Sequence, residues 1–256
     1  MVLARGLVDN LASAGGGPGL EVHIRTTRVS NPHIDYSYIS GAAVRIGTEV
    51  LEITEDGLLM RNGEVMHLDA DGSETSFAGY TLKKSLKGAK KLIVVHDFDL
   101  GEDKKIQVRS NTKTGMVFVD VSGHFEDVEG LLGTSTGQGQ EKKLLSRDRV
   151  TDMTGHWNTY GEEWQVNDND PKLFKDSTRH PQFPNGCEYK ADPMSQLRHH
   201  RRLLADDEMT SVTIEDAKKA CAHLKEEVEI MDFCINDILV TGDLDLAEDP
   251  FYQHSN

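Results

Sequence analysis

The sequence predicts a mainly β protein: an antiparallel β-sandwich followed by a small α-helical hairpin. Apolar residues alternate with polar ones at a period of two through residues 20–125. Turn dipeptides punctuate that stretch roughly every 8–12 residues, the spacing of short strands in sandwiches and barrels. The period changes to 3.6 only beyond Thr213. Strands and helices do not alternate along the chain, which argues against a doubly wound nucleotide-binding fold.

Leu20, Val22 and Ile24 alternate with Glu21, His23 and Arg25, which puts one face of the first strand inside. Val44 and Ile46 come next, then residues 50–53, before Asp56-Gly57 interrupts. Asn62-Gly63 is the clearest turn, because Asn and Gly readily take φ > 0 at both central positions of a type I′ hairpin. It joins residues 58–61 to 64–68. Asp71-Gly72 marks a further turn, and strands follow at residues 91–95, 106–109 and 116–121, the last with Val117, Val119 and Val121 alternating. A Gly/Ser/Thr/Gln loop fills residues 130–139, and residues 160–166 read as one more strand carrying Trp164. Pro171, Pro181, Pro184 and Pro193 break any helix in the polar stretch after it, which reads as a linker or a wrap over the sandwich.

Thr213 opens a helix with Asp216 three residues on, an approximate capping box. Ala217, Ala220, Cys221, Leu224 and Val228 share one face at helical spacing. Asp232 is placed to cap a second helix, whose Cys234, Ile235, Ile238 and Leu239 form an apolar stripe ending at Gly242.

The 256 residues carry 43 acidic and 28 basic side chains, a formal net charge of −15. A phosphate-binding surface needs concentrated Lys and Arg, so nucleic acid is excluded as a partner, and so is electrostatic docking on anionic lipid. No run approaches the roughly 18–20 apolar residues that membrane insertion requires. The three cysteines, Cys187, Cys221 and Cys234, are too few and too odd in number for a disulfide framework. Cys221 and Cys234 lie across the predicted hairpin, whose packing would bring them within bridging distance, as a disulfide or as two buried thiols. Cys187 lies in a Pro/Asn/Gly stretch, as an unpaired thiol or a long-range partner. The first residues lack the ordered n-region, h-region and cleavage site of a signal peptide.

Few residues read as chemistry-bearing. Asp97, Asp99 and Asp103 supply closely spaced carboxylates, as a calcium loop does, but lack its Gly at the sixth position and Glu at the twelfth. The competing reading is an acidic hairpin turn. Calcium is thus the one cofactor the residues suggest. Asn167-Asp168-Asn169-Asp170 and Asp243-Leu244-Asp245 are weaker versions of the same pattern. Glu162 and Glu163, taken as strand neighbours, point to opposite faces and do not form a glycosidase pair. His199-His200 lacks a third metal ligand at useful spacing and reads as part of a solvated basic patch. Gly137-Gln138-Gly139 lacks the context of a dinucleotide site. No nucleophile elbow, zinc-binding helix motif or P-loop occurs, so no enzyme is predicted.

Five motifs in order resemble the von Willebrand factor type D domain. They are Asp56-Gly57 with Asn62-Gly63-Glu64, and the paired strands at residues 106–108 and 116–121. Then come Glu129-Gly130-Leu131-Leu132-Gly133, and Tyr160-Gly161-Glu162-Glu163-Trp164-Gln165-Val166. The fifth, Cys221 with Phe233-Cys234-Ile235-Asn236-Asp237-Ile238 and Thr241-Gly242-Asp243, resembles the cysteine-rich module that comes after such domains. Gly130, Leu131, Leu132, Gly133, Gly161 and Trp164 are the structural residues this implies. Where the family carries a Cys-x-x-Cys linked to covalent multimers, this chain has Glu129 and Leu132, so thiol exchange there has no thiolate. Its calcium-binding acids after that loop are replaced by Thr134-Ser135-Thr136-Gly137-Gln138. The family's opening Gly-Asp-Pro-His is missing, and Gly6-Leu7-Val8-Asp9 resembles the family's residues just beyond that opening. This implies that the sequence starts inside the domain and that a signal lies upstream.

The expected organisation is a flexible N-terminal segment or truncated first strand over residues 1–19 and a type D-like sandwich over 20–166. An irregular linker over 167–210 and a helical cysteine-containing module over 211–256 complete it. The implied function is a non-catalytic extracellular or cell-surface module for adhesion, matrix assembly or association with other proteins or matrix components. The alternatives are a secreted calcium-dependent carbohydrate-binding sandwich and a cytosolic structural domain with reduced thiols.

Overall fold

The computed structural model describes residues 2–7, 19–28, 37–68, 71–88, 92–123, 125–134, 143–166, 170–175, 212–248 and 252. Among them are twelve strands: β1 Val2–Leu7, β2 Leu20–Arg28, β3 Ser37–Ile46, β4 Glu49–Thr54, β5 Leu59–Arg61, β6 Glu64–Val65, β7 Glu74–Phe77, β8 Tyr80–Lys87, β9 Ile93–Asp99, β10 Lys105–Asn111, β11 Met116–Ser122 and β12 Glu126–Glu129. The helices are α1 Trp157–Glu163, α2 Ile214–Ala220 and α3 Val228–Thr241, with 3-10 turns at Cys221–Leu224 and Leu244–Glu248. The chain divides into two compact units. One holds residues 1–28, 37–86 and 94–187, and the other holds 29–36, 87–93 and 188–256.

The strands form two antiparallel sheets, as the fold class predicts. One has seven strands in the order β12-β1-β2-β3-β4-β5-β6, and the other has five in the order β11-β10-β9-β8-β7. The chain changes sheet between β6 and β7 and again between β11 and β12; within each sheet chain neighbours pair, and β12 returns to pair with β1. Tight turns make this meander possible. Asn62 (φ 51°) and Gly63 (φ 83°) both take the left-handed conformation a type I′ turn demands, so Arg61 pairs with Glu64.

Val22, Val44, Leu51 and Ile53 of the larger sheet pack against Leu82, Phe98, Ile106, Val108 and Val117 of the smaller in one buried cluster. Its apolar area, removed from water by both sheets, is the main favourable term holding the sandwich together. Ser110 also bridges the layers, its Oγ donating to the Thr54 carbonyl oxygen at 2.9 Å.

The structure departs from the sequence-level expectations in several places. β1 and β12 form one flank of the larger sheet, and β7 and β8 one flank of the smaller; the sequence reading places no strand at β7, β8 or β12. β1 occupies the place of the expected flexible segment or truncated first strand. The strand expected at residues 91–95 runs from Ile93 to Asp99, so Asp97 and Asp99 belong to β9 itself.

Alternation in β2 does not separate buried from solvated residues, because Glu21 and His23 are 0% and 1% exposed. Those groups bond one another: His23 Nε2 lies 2.9 Å from Glu21 Oε1, and Arg45 Nη2 donates to the other oxygen. Residues 170–175 lie over the same sheet. Phe174 sits 4.2 Å from the Arg25 guanidinium and against Gly41, while the Lys175 amide donates to Glu52 Oε2 at 2.9 Å. This stretch is part of the expected linker or wrap; residues 167–169 and 176–211, with Cys187 and His199-His200, lie outside the described residues.

Residues 160–166 are not a strand. Trp157–Glu163 is helical, with Tyr160 N donating to the His156 oxygen at 2.9 Å. Tyr160 and Trp164 are four residues apart, the spacing that stacks side chains on one helix face. Both bury against Met153. The correction changes the reasoning on Glu162 and Glu163, which diverge by about 100° around a helix rather than across a strand. Glu163 Oε2 accepts from the Arg147 amide at 3.0 Å.

In the second unit, Thr213 caps α2 through the reciprocal bonds of a capping box with Asp216, as expected. The first helix stops at Ala220 and passes into the 3-10 turn, so Val228 is not on its face; it begins α3 and is 61% exposed. Asp232 lies inside α3 rather than capping it, because the helix starts one turn earlier after Glu227. Cys234, Ile235, Ile238 and Leu239 are buried, and Gly242 (φ 69°) ends the helix with its N–H on the Ile238 oxygen at 2.7 Å.

Candidate functional site

Inward-facing positions of a sandwich normally carry apolar side chains. Two do not. On β8 the face that holds Tyr80 and Leu82 continues with Lys84, and on β9 the face that holds Phe98 also holds His96. These side chains line a recess of about 80 Å³ with Gly57, Leu58, Leu59, Met66, His67 and Leu68. The recess lies where the β4–β5 turn, β5 and the segment after β6 cover the smaller sheet. Met66 is fixed by its amide bond to the Leu59 oxygen at 2.9 Å.

The turn above it requires glycine. Gly57 has φ +74°, and a Cβ there would meet Val94 Cγ2 at 2.7 Å. Thr54 and Asp56 hold the turn's backbone: the Gly57 amide donates to the Thr54 oxygen at 3.0 Å, and the Leu58 amide to Thr54 Oγ1 at 3.1 Å.

His96 is 1% exposed, and its Nδ1 has no hydrogen-bond partner among the described residues. Burial, with the nearby Lys84 charge, pushes its imidazole down to about 4, so the ring is neutral at pH 7. Among the described residues, no Asp or Glu lines the recess. The lining thus mixes apolar side chains with one ammonium, Lys84, and two imidazoles, His67 and His96. Neither Lys84 nor His96 stands out in the sequence. The readable signal is parity: each continues an apolar period-two series.

A second polar cluster ties the sheet edges. Arg61 Nη2 donates to Glu49 Oε1 and Tyr80 Oη to Glu49 Oε2, the latter at 2.7 Å. Burial alone would raise the Glu49 carboxyl, but these donors hold it below its usual range. Burial, reinforced by Glu49, raises the Tyr80 phenol. Phe77 stacks on Tyr80 at 4.8 Å and lies under the Arg61 guanidinium, also at 4.8 Å.

The residues expected to bind calcium are not brought together. Asp97 Oδ1 accepts from Gln107 Nε2 at 2.6 Å, across to β10, whereas Asp99 Oδ1 accepts from the Gly101 amide at 2.9 Å within the turn. Gly101, Glu102 and Asp103 all have positive φ, which curls the β9–β10 hairpin tightly, and Glu102 pairs with Lys104 at 3.1 Å. Among the described residues, no three His, Cys, Asp or Glu side chains are grouped to hold a metal ion. Asp170 lies in a bidentate pair with Arg147, both contacts 2.9 Å, and Asp243 Oδ1 caps the Asp245 amide at 3.2 Å.

Of the residues named from the resemblance, Leu131 and Trp164 share one small cluster with Tyr160 beside the Gly130–Gly133 turn. Gly130 and Gly133 (φ 140° and 94°) make a turn closed by a 2.9 Å backbone bond, and Tyr160 Oη donates to the Gly130 oxygen. Leu131 packs beside Tyr160 and Trp164, whose rings meet edge-on at 6.5 Å, and the Arg147 guanidinium lies 5.1 Å from the Trp164 ring. Gly161 lies within α1 between those two aromatics. Glu129 pairs with Arg149 at 2.7 Å, while Leu132 is 37% exposed. In the second unit Cys221 and Cys234 are joined by a disulfide, with Cα atoms 6.1 Å apart. No known family model matches the chain, and no curated protein sequence matches it.

Proposed function

We propose that this chain is a non-catalytic extracellular or cell-surface module for protein–protein association, its sandwich of the von Willebrand factor type D kind. The observation that carries the reading is the disulfide between Cys221 and Cys234. Such bonds persist in oxidising compartments and are rare in the cytosol, which favours display outside the cell over a reduced structural domain. The antiparallel sandwich and the joined Gly130–Gly133 turn and Tyr160–Trp164 cluster add support, since the type D resemblance rests on those segments.

Association through this module is non-covalent. At the positions of the family's paired cysteines stand Glu129, engaged with Arg149, and the partly exposed Leu132, so no thiolate is available for exchange at that loop. Thiol counting on protein purified without reductant and then denatured tests the compartment. One reactive thiol of the three is expected; three would return the chain to the cytosolic reading. Gel mobility with and without reductant tests the mode of association. A reducible multimer would contradict the non-covalent mode.

A further inference from the structure

We propose that the free edge of β11 takes up an extended, basic segment of another protein as an added strand. The partner's apolar residues lie beside Val119 and Val121, and a Lys or Arg lies beside Asp120. This inference rests on the association reading and gives it a surface and a partner chemistry.

An edge strand presents unpaired N–H and C=O groups, and native sheets blunt such edges with short strands, charges, prolines or bulges. Among the described residues the two sheets end in β6, β12, β7 and β11. β6 has two residues and β7 four, while β12 has four, of which Glu126, Asp127 and Glu129 are acidic. β11 carries one exposed carboxylate, Asp120, and no other of these devices. It runs through seven residues, Met116–Ser122, without Pro, Gly or Lys, and pairs with β10 at seven consecutive positions without a bulge. Alternate residues, about three of them, therefore aim their backbone groups away from β10 in one straight row. The strand is also held in place. Val117 belongs to the sandwich core, and Val119 and Val121 pack against it while only partly buried. A strand added here, with apolar residues at alternate positions, covers the area those two valines leave open. Charge selects the partner. Asp120 lies on the outer face of the edge. At one end, Glu55 Oε2 is 3.9 Å from where a Cβ on Gly115 would lie, and at the other the exposed Asp103 has its backbone against Gly123. Lys113 in the turn and Lys105, opposite Ser122 on β10, offset only part of this. In a chain of net charge −15, such an edge repels a second copy and attracts a cationic strand.

The experiment titrates the capped peptide Lys-Val-Lys-Val-Lys-Val-Lys into the 15N-labelled full chain at constant ionic strength and follows the backbone amides by NMR. One control peptide has the same sequence N-methylated at every residue, which keeps its charge but removes its donors. The other replaces each Lys by Glu. The expected result is a saturable shift centred on residues 116–122, with slowed hydrogen exchange at β11 amides. Both controls should bind at least about tenfold more weakly. Asp120→Lys, at an exposed position, should weaken the Lys-Val peptide by about tenfold or more. If that variant does not fold, the comparison with the N-methylated peptide still decides. The proposal is overturned by the absence of a saturable shift at β11, by shifts centred on another edge, or by equal binding of the N-methylated peptide. Undiminished binding in a folded Asp120→Lys protein overturns it too. So does a β11 edge already protected in the free chain, whether at every concentration, by its own chain, or only at high concentration, by a second copy. Each of these leaves association to another surface, whereas the thiol count and the gel comparison decide the association reading itself.

Discussion

Acidification should destabilise the sandwich through one side chain. His96 is buried beside Lys84, and both facts favour the neutral ring, which takes its midpoint from 6.5 down to about 4. Between those values the unfolded chain binds a proton that the folded chain refuses, so stability falls as pH falls through that window and the loss levels off below about pH 4. Worked through the linkage relation, the folded state is less stable by about 2 kcal/mol at pH 5 and about 3 kcal/mol at pH 4 than at pH 7, from this group alone. The assay is urea unfolding of wild type and His96→Gln at several pH values between 7 and 5. That range lies above the titration of most carboxylates, and subtracting the variant's profile removes the other ten histidines of the eleven. The absolute stability of the variant does not matter; only the difference in slope does. If the two profiles run parallel to within about 0.5 kcal/mol, the burial argument for His96 is wrong.

Four further outcomes are expected. Reducing the Cys221–Cys234 bond, which spans 13 residues, should cost the helical unit about 3 kcal/mol by loop-closure entropy, read as a lower urea midpoint of the helical signal; a drop under about 1 kcal/mol would contradict it. Gly57→Ala meets both a left-handed φ and Val94 at 2.7 Å, whereas Gly72→Ala meets the φ with open space around it, so the first should lose at least about 1 kcal/mol more in thermal unfolding. Glu49, held below its usual range by Arg61 and Tyr80 against the opposing effect of burial, adds stability that is present above its unfolded value and lost as pH falls through its folded one. Glu49→Gln should therefore show a shallower acid limb below about pH 4, and an unchanged limb would remove the ion pair from that role. Calcium should leave the melting temperature unchanged, because Asp97 and Asp99 are engaged with Gln107 and Gly101; a calcium-dependent rise abolished by Asp97→Asn with Asp99→Asn would restore the calcium-binding reading.

Local chemistry is the legible part of the fold. The Asn62-Gly63 hairpin, the Thr213–Asp216 cap and the Gly242 stop each depend on a few adjacent residues, and each forms where the sequence places it. Legibility drops where a partner is distant. The segment around Tyr160 and Trp164 carries both a strand-like and a helical apolar pattern, and only the Met153 and Leu131 surfaces it buries against decide for the helix. β7 and β8 show little hydrophobic contrast in their exposed outer residues, so the turn at Ala78-Gly79 has no clear strands on either side to mark it.

By itself, then, the sequence determined the mainly β class, the tight turns and the helical module, because periodicity and turn propensity act within a few residues along the chain. It also brought Cys221 and Cys234 within one hairpin. Tertiary structure alone decided which charged residues lie inside. Glu21 and His23 are buried because Arg45 and each other complete their bonding, and Asp170 because Arg147 reaches it from 23 residues away. It likewise decided that Lys84 and His96 share one recess. They stand 12 residues apart on neighbouring strands, and only the pairing of β8 with β9 beneath the β4–β5 turn makes them neighbours.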